Sequence, residues 1–135
     1  MKLNLVLPGS IRSKKNSKIA TIIGGKNKPR RAIILPSKAY TIWENEARAA
    51  VWMQLKKFKG VILPTDKLVE IKIIAHYKGP KPDLSGAMES VGDCLEKLIY
   101  TDDANIISWD GSRLCHDLHH PRTEVEVNII EEQIS

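Results

Sequence analysis

Apolar residues alternate with other residues in three segments of the chain, 3–7, 67–77 and 124–129. A period of two predicts a β-strand with one buried face in each segment. Shorter apolar runs at 32–35 and 106–109 predict two further strands, and the first of these closes a ribbon or long hairpin. The strand at 3–7 ends in a turn at Pro8-Gly9.

Two segments instead repeat their apolar residues near the helical period of 3.6. The first helix is predicted to begin at an N-cap, Ser37, and to end near Gly60. The second is predicted to begin just beyond Asp83 and to carry Met88, Val91, Leu95 and Leu98 on one face. The order β-β-α-β-α-β-β predicts an α+β fold, a single domain over residues 1–135 in which two main helices pack on one face of a mixed β-sheet.

The composition limits the compartment and the class of protein. The chain has 135 residues, of which 42% are hydrophobic, and no apolar run approaches the ~20 residues that cross a bilayer. Cys94 and Cys115 do not form a Cys-x-x-Cys pair, so reduced thiols are expected. We therefore expect a cytoplasmic protein with no membrane contact.

Positive charge is concentrated near the N-terminus. The chain carries a net charge of +5, and residues 12–31 include many lysines and arginines but no acidic residue. Such clustering is typical of proteins that bind polyanions. The alternative is a solvated, flexible basic loop without a ligand.

Acidic residues gather further along, around the second predicted helix. Phosphodiester hydrolysis needs cations that stabilise charge on the reacting oxygens, and Mg²⁺ is held by a few carboxylates. Asp83 precedes the helix and Asp102 and Asp103 follow it, so a chain that folds back brings Asp103 towards Asp83 and Glu89. The alternatives are that Asp83 and Asp103 are turn residues and that Lys97 pairs with Asp93. The candidate metal ligands are Asp83, Glu89, Asp93, Asp102 and Asp103.

The stretch from Lys81 to Ile107, which begins Lys-Pro-Asp-Leu-Ser-Gly and contains Tyr-Thr-Asp-Asp-Ala-Asn, resembles the core signature of the RusA family of crossover junction endodeoxyribonucleases. In that family a strand delivers Asp-Leu-Asp-Asn, a helix carries an inner aspartate, and an Asp-Asp pair opens the next strand. The corresponding positions here hold Asp83, Asp93, Asp102 and Asp103. A weaker likeness to phage-type members covers most of the remaining chain.

This resemblance implies a RusA-like homodimer that resolves Holliday (four-way) junctions in DNA recombination and repair, with Mg²⁺ or Mn²⁺ as cofactor. Two positions depart from the family pattern: Ser85 replaces the second motif aspartate, and Glu89 replaces a helix lysine that assists catalysis. Our hypothesis is that Glu89 supplies the missing carboxylate. The predicted catalytic residues are Asp83, Glu89 and Asp103, and Asp102 is a further predicted metal ligand.

Contacts to branched DNA are predicted for residues in the basic segment and beside the acidic motif. Two other functions stay open: a catalytically impaired relative that still binds branched DNA, and an unrelated basic RNA-binding module. The resemblance also implies a bacterial or phage-infected cell. The predicted DNA-binding residues are Lys14, Lys15, Asn16, Lys18, Arg30, Arg31, Lys81 and Arg113.

Overall fold

Five strands form one mixed sheet, and a two-stranded ribbon lies outside it. The structure, a computed structural model, describes residues 1–13, 18–23 and 31–131, and it describes 18–23 and 31–36 by their backbone alone. The strands are β1 (Lys2–Pro8), β2 (Lys18–Ile23), β3 (Arg31–Pro36), β4 (Val69–Tyr77), β5 (Ile106–Ser108), β6 (Arg113–His116) and β7 (Arg122–Ile129). The helices are α1 (Lys38–Leu55) and α2 (Leu84–Leu95).

The sheet is antiparallel on one side of β4 and parallel on the other. β7 lies between β1 and β4 and pairs antiparallel with both. β5 and β6 both run parallel to β4 along its other edge: β5 pairs with the beginning of β4, at Val69, and β6 pairs with its end, at Tyr77. The connection from β4 through α2 to β5 is thus a parallel β-α-β unit.

One face of the sheet is apolar and the other is polar. Alternate residues of β1, β4 and β7 are buried, and the residues between them are exposed or half-buried. Each buried aliphatic side chain contributes about 1.5–3 kcal/mol. The helices cover the apolar face, which confirms the predicted α+β fold. The buried residues of α1 are Tyr40, Trp43, Ala47 and Val51.

Polar contacts at its two ends position α1. Ser37 is the N-cap, as predicted, and its hydroxyl accepts a hydrogen bond from the N–H of Tyr40 at 3.1 Å. Near the other end, the side-chain amide of Gln54 bonds both the N–H and the C=O of Val6 in β1, at 2.9 and 2.7 Å. The helix ends at Leu55, a few residues before the predicted end near Gly60.

The predicted element order lacks two strands and extends α2 too far. β2 and β6 were not predicted. β3 does close a ribbon, but its antiparallel partner is β2, which lies in the segment that was predicted to be a loop. The second helix ends at Leu95 because Glu96 has an extended backbone, and Lys97 after it adopts a left-handed conformation, with φ of 71°. Leu98 therefore packs from a turn and not from the helix. None of the described helices is both long and apolar enough to cross a membrane.

Candidate active site

A cleft of about 310 Å³ lies between α2 and the segment that follows it. One wall is a face of α2, and the other comes from the turn before β5 and from β5 itself. Among the described residues, those lining the cleft include three carboxylates and no lysine, arginine or histidine. They are Ser85, Met88, Glu89, Gly92, Asp93, Asp103, Ile106 and Trp109.

The spacing of residues on α2 places its polar side chains in the cleft. Ser85, Glu89 and Asp93 are four residues apart, so they lie on one face of the helix. Ser85 and Glu89 are exposed, whereas Asp93 is half-buried. Arg48 of α1 fixes the C-terminal end of this helix, since its Nη1 donates to the carbonyl oxygens of Cys94 and Glu96 at 2.9 and 3.2 Å. The end of the helix that carries the acidic face is thereby fixed to α1.

A short 3₁₀ turn, Asp103–Asn105, presents Asp103 to the cleft. Asp102 caps the turn: its Oδ1 accepts the N–H of Ala104 at 2.9 Å, and its own N–H donates to Oδ1 of Asn105 at 3.1 Å. The buried amide of Asn105 also donates to the carbonyl oxygens of Asp66 and Lys67. Sequence analysis missed Asn105, although the Asp-x-x-Asn spacing is the capping signal that identifies it.

Asp102 and Asp103 perturb each other. A hydrogen bond with Asp102, and then the negative charge of Asp102, raise the pKa of Asp103. The pKa of Asp102 is lowered, first by the hydrogen bond from the backbone N–H of Ala104 and then by the one shared with Asp103. Two carboxyl groups this close favour sharing a proton or a cation, because either relieves their repulsion.

The structure brings together some of the predicted metal ligands. Glu89, Asp93 and Asp103 line the same cleft, but Asp83 and Asp102 do not line it. Asp83 is the exposed N-cap residue of α2, with no side-chain capping bond. Asp103 shares the cleft with residues of α2 from Ser85 to Asp93.

The proposed pairing of Lys97 with Asp93 assumed that α2 extends as far as Lys97. Lys97 instead lies beyond the end of the helix, and its ammonium group donates to the carbonyl oxygen of Thr101 at 2.7 Å. The helical four-residue spacing therefore does not apply to this pair.

Only part of the predicted DNA-binding set lies in the described residues. Lys81, in the loop before α2, and Arg113, the first residue of β6, are both exposed. Lys18 and Arg31 begin β2 and β3, where the backbone alone is described. The predicted contacts Lys14, Lys15, Asn16 and Arg30 lie outside the described residues.

Ser13, the last described residue before position 14, is buried against Gly86 in the first turn of α2. The basic segment therefore begins beside the helix that carries the acidic face.

No protein-family model and no curated protein sequence matches this chain. The resemblance to the RusA family stays a prediction from the motif.

The donor chemistry of the cleft fits a hard divalent cation. Carboxylates are the side chains that Mg²⁺ prefers, and it needs only one or two of them because it keeps several waters. In the part of the chain that the structure describes, however, no group of three or more His, Cys, Asp or Glu side chains is arranged to hold a metal ion. Glu89, Asp93 and Asp103 thus share a cleft without forming a complete ligand cage.

Proposed function

We propose that this chain is a Mg²⁺-dependent endonuclease that cuts branched DNA, and that the cleft between α2 and β5 is its active site. The observation that carries the proposal is that Glu89, Asp93 and Asp103 line one cleft with no basic side chain among the described residues that line it. An acidic cleft attracts a cation, and a protein with a net charge of +5 attracts a polyanionic substrate. The resemblance of the motif to the RusA family supports the same substrate.

Each carboxylate has a distinct part in this proposal. Glu89 and Asp103 reach the cleft from opposite walls, so one ion between them would be held by both the helix and the turn. Asp93, half-buried on the same helix face, is the third candidate ligand. When bound, Mg²⁺ supplies charge stabilisation on the phosphate oxygens and lowers the pKa of a coordinated water. Asp102 keeps its position as the cap that orients Asp103.

Asp83 and Ser85 take lesser roles. Asp83 stands outside the cleft at the start of α2. We therefore propose that it affects catalysis only through its negative charge or by binding an ion that also contacts the substrate. Ser85 lines the cleft with a neutral hydroxyl. The carboxylate missing at position 85 is supplied one helical turn later, by Glu89.

The basic residues would hold the DNA around this acidic cleft. Lys81 and Arg113 are both exposed: Lys81 lies in the loop after β4, and Arg113 pairs with Ile74 of β4. The basic segment begins next to α2. Phosphate contacts of this kind position a nucleic acid without reading its sequence. A homodimer would place two identical clefts on the two-fold related arms of a four-way junction. Cutting such junctions belongs to recombination and repair in the cytoplasm of a bacterial or phage-infected cell.

Cleavage of a labelled synthetic four-way junction tests the proposal. In Mg²⁺ we expect paired nicks in opposite strands, which EDTA abolishes, and no cutting of the matching linear duplex. Asp103→Asn should bind the junction but cut it at least about 100-fold more slowly, since it loses a proposed ligand of the Mg²⁺ that would stabilise transition-state charge. Wild-type cutting that persists in EDTA, or that is equal in the variant, would contradict the proposal.

A second candidate is a junction-binding protein that has lost its chemistry. The observation that favours it is the lack of a complete metal-holding group in the described residues, together with Ser85 at the position of the family's aspartate. The two candidates differ in one result. Tight binding of the junction with no nicks in either Mg²⁺ or Mn²⁺ would favour the second.

A further inference from the structure

The cleft has an aromatic wall as well as an acidic one. Trp109 lines it together with Met88 and Ile106, all three half-buried, and faces the same space as Glu89 and Asp103. Neither the metal site nor the predicted phosphate contacts use this wall. A purely ionic site for a metal and a phosphate does not need an apolar wall, because apolar surface weakens the hydration of neighbouring charged groups and supplies no ligand atom.

The backbone at Trp109 is held in place. Trp109 begins a turn that interrupts the edge of the sheet between β5 and β6, and the N–H of Ser112 donates to its carbonyl oxygen at 3.2 Å. The hydroxyl of Ser112 in turn accepts the N–H of Ile73 in β4 at 3.0 Å. Gly111, with φ of 85°, supplies the left-handed position that the turn requires.

The ring of Trp109 lies beside a glycine of α2. A Cβ atom built at Gly92 would lie 3.6 Å from Cζ2 and 3.8 Å from Cη2 of Trp109, so the ring is separated from the helix by a gap that a methyl group would fill. A ring flanked by a helix on one side has fewer orientations to lose when a ligand stacks on its other side. Trp109 is thus a partly exposed aromatic surface, on a hydrogen-bonded turn, beside three carboxylates.

We propose that Trp109 is the platform on which an unpaired nucleobase stacks when the neighbouring phosphate enters the acidic cleft. The inference rests on the proposed function and specifies its substrate as DNA with an unpaired nucleotide at the branch point. Any phosphate near Glu89 and Asp103 carries a sugar and a base, and the apolar wall is the surface that receives the base. A cleft of about 310 Å³ is at the lower end of small-molecule pockets, a size that suits one nucleotide unit.

Fluorescence of 2-aminopurine in a junction tests the proposal. The probe is placed once at the branch point and once in a paired arm, and binding is measured in Ca²⁺, which takes the same oxygen ligands as Mg²⁺. We expect quenching at the branch point only, retained by Trp109→Phe and lost by Trp109→Leu. The Leu variant should also bind at least about fivefold more weakly, the lower limit for loss of one base–aromatic stack. The matched control Trp52→Leu changes an exposed tryptophan of α1 and should leave both readouts unchanged.

A second measurement needs no substitution at Trp109. In a Trp52→Phe variant the remaining tryptophans are Trp109 and Trp43, and Trp43 is buried, with 5% of its surface exposed. Binding of the unlabelled junction should quench the emission of Trp109 in this variant. A thermal melt shows whether Trp109→Leu folds. If it does not fold, quenching of Trp109 emission in the Trp52→Phe variant decides whether a base stacks on Trp109.

Two outcomes would overturn the proposal: undiminished 2-aminopurine quenching with Trp109→Leu, or equal quenching at branched and paired positions. Failure of the nuclease proposal gives a different pattern. In that case no Mg²⁺-dependent nick forms, whereas the quenching that depends on Trp109 persists.

Discussion

Replacing Gly86 with alanine probes the contact between the start of the basic segment and α2. A Cβ atom built at Gly86 would lie 3.0 Å from Cβ of Ser13 and closer still to its Oγ. Ser13 is buried, with 5% of its surface exposed, so it has little room to retreat. Overpacking of this kind costs about 1–3 kcal/mol. Alanine also favours the helix over glycine by up to about 1 kcal/mol.

Gly92 is a matched control in the same helix. It is also buried, but a Cβ atom there would meet Trp109 no closer than 3.6 Å, an ordinary contact. Gly92→Ala should therefore be neutral or stabilising by up to about 1 kcal/mol. The gain in helix propensity from glycine to alanine is similar in the two variants. Their difference in unfolding free energy should therefore approach the cost of overpacking against Ser13, about 1–3 kcal/mol.

Urea denaturation followed by circular dichroism measures this difference. A lower midpoint for Gly86→Ala than for Gly92→Ala, with an unchanged slope, reports a change in stability alone. Equal midpoints would refute the reasoning, because they would mean that Ser13 gives way freely and is not fixed on α2. The double variant Ser13→Ala with Gly86→Ala should recover part of the loss, since it removes the closest atom.

Two further predictions concern groups that hold the site and the sheet. Arg48→Ala should lower the unfolding free energy by about 1.5–3 kcal/mol in urea, because it leaves the carbonyl oxygens at the end of α2 without their charged donor; stability equal to wild type would contradict this. Hydrogen bonds from the backbone N–H groups of His120 and His119, and then Arg122, lower the pKa of Asp117. The ionised Asp117 therefore stabilises the fold above its unfolded pKa of about 4, and this stabilisation is lost as the pH falls through the folded pKa. Asp117→Asn should therefore show a shallower loss of melting temperature between about pH 5 and pH 2; parallel curves would count against the assignment.

The strands that the sequence predicted best are those with one buried face. Alternation in β1, β4 and β7 arises because the helices cover one side of the sheet and leave the other polar. The residues of β6 are exposed or half-buried throughout, so this edge strand shows no alternation and was missed. Apolar spacing also continued past the true end of α2, because Leu98 and Ile99 are packed by a turn as if they were helical.

The site was predictable in part for a related reason. Glu89 and Asp93 share a helix face, which local spacing defines, and both line the cleft with Asp103. The expected approach of Asp103 to Asp83 stays a prediction, because it depends on where β5 pairs along β4, a long-range register that local patterns do not contain. The apolar pattern at 106–109 assigned Trp109 to a strand. The exposure of Trp109 to the cleft depends on the turn that follows, which this pattern does not indicate.

The central claim is that the carboxylates of this cleft support metal-dependent cutting of branched DNA. The most direct test compares the rate of junction cleavage in Mg²⁺ for wild type, Asp103→Asn and a matched control, Asp110→Asn, which removes the charge of an exposed aspartate that does not line the cleft. The account predicts that Asp110→Asn cuts at the wild-type rate and that Asp103→Asn is slower by at least about 100-fold with junction binding intact. Equal rates for all three proteins, or no cutting by any of them, would contradict it.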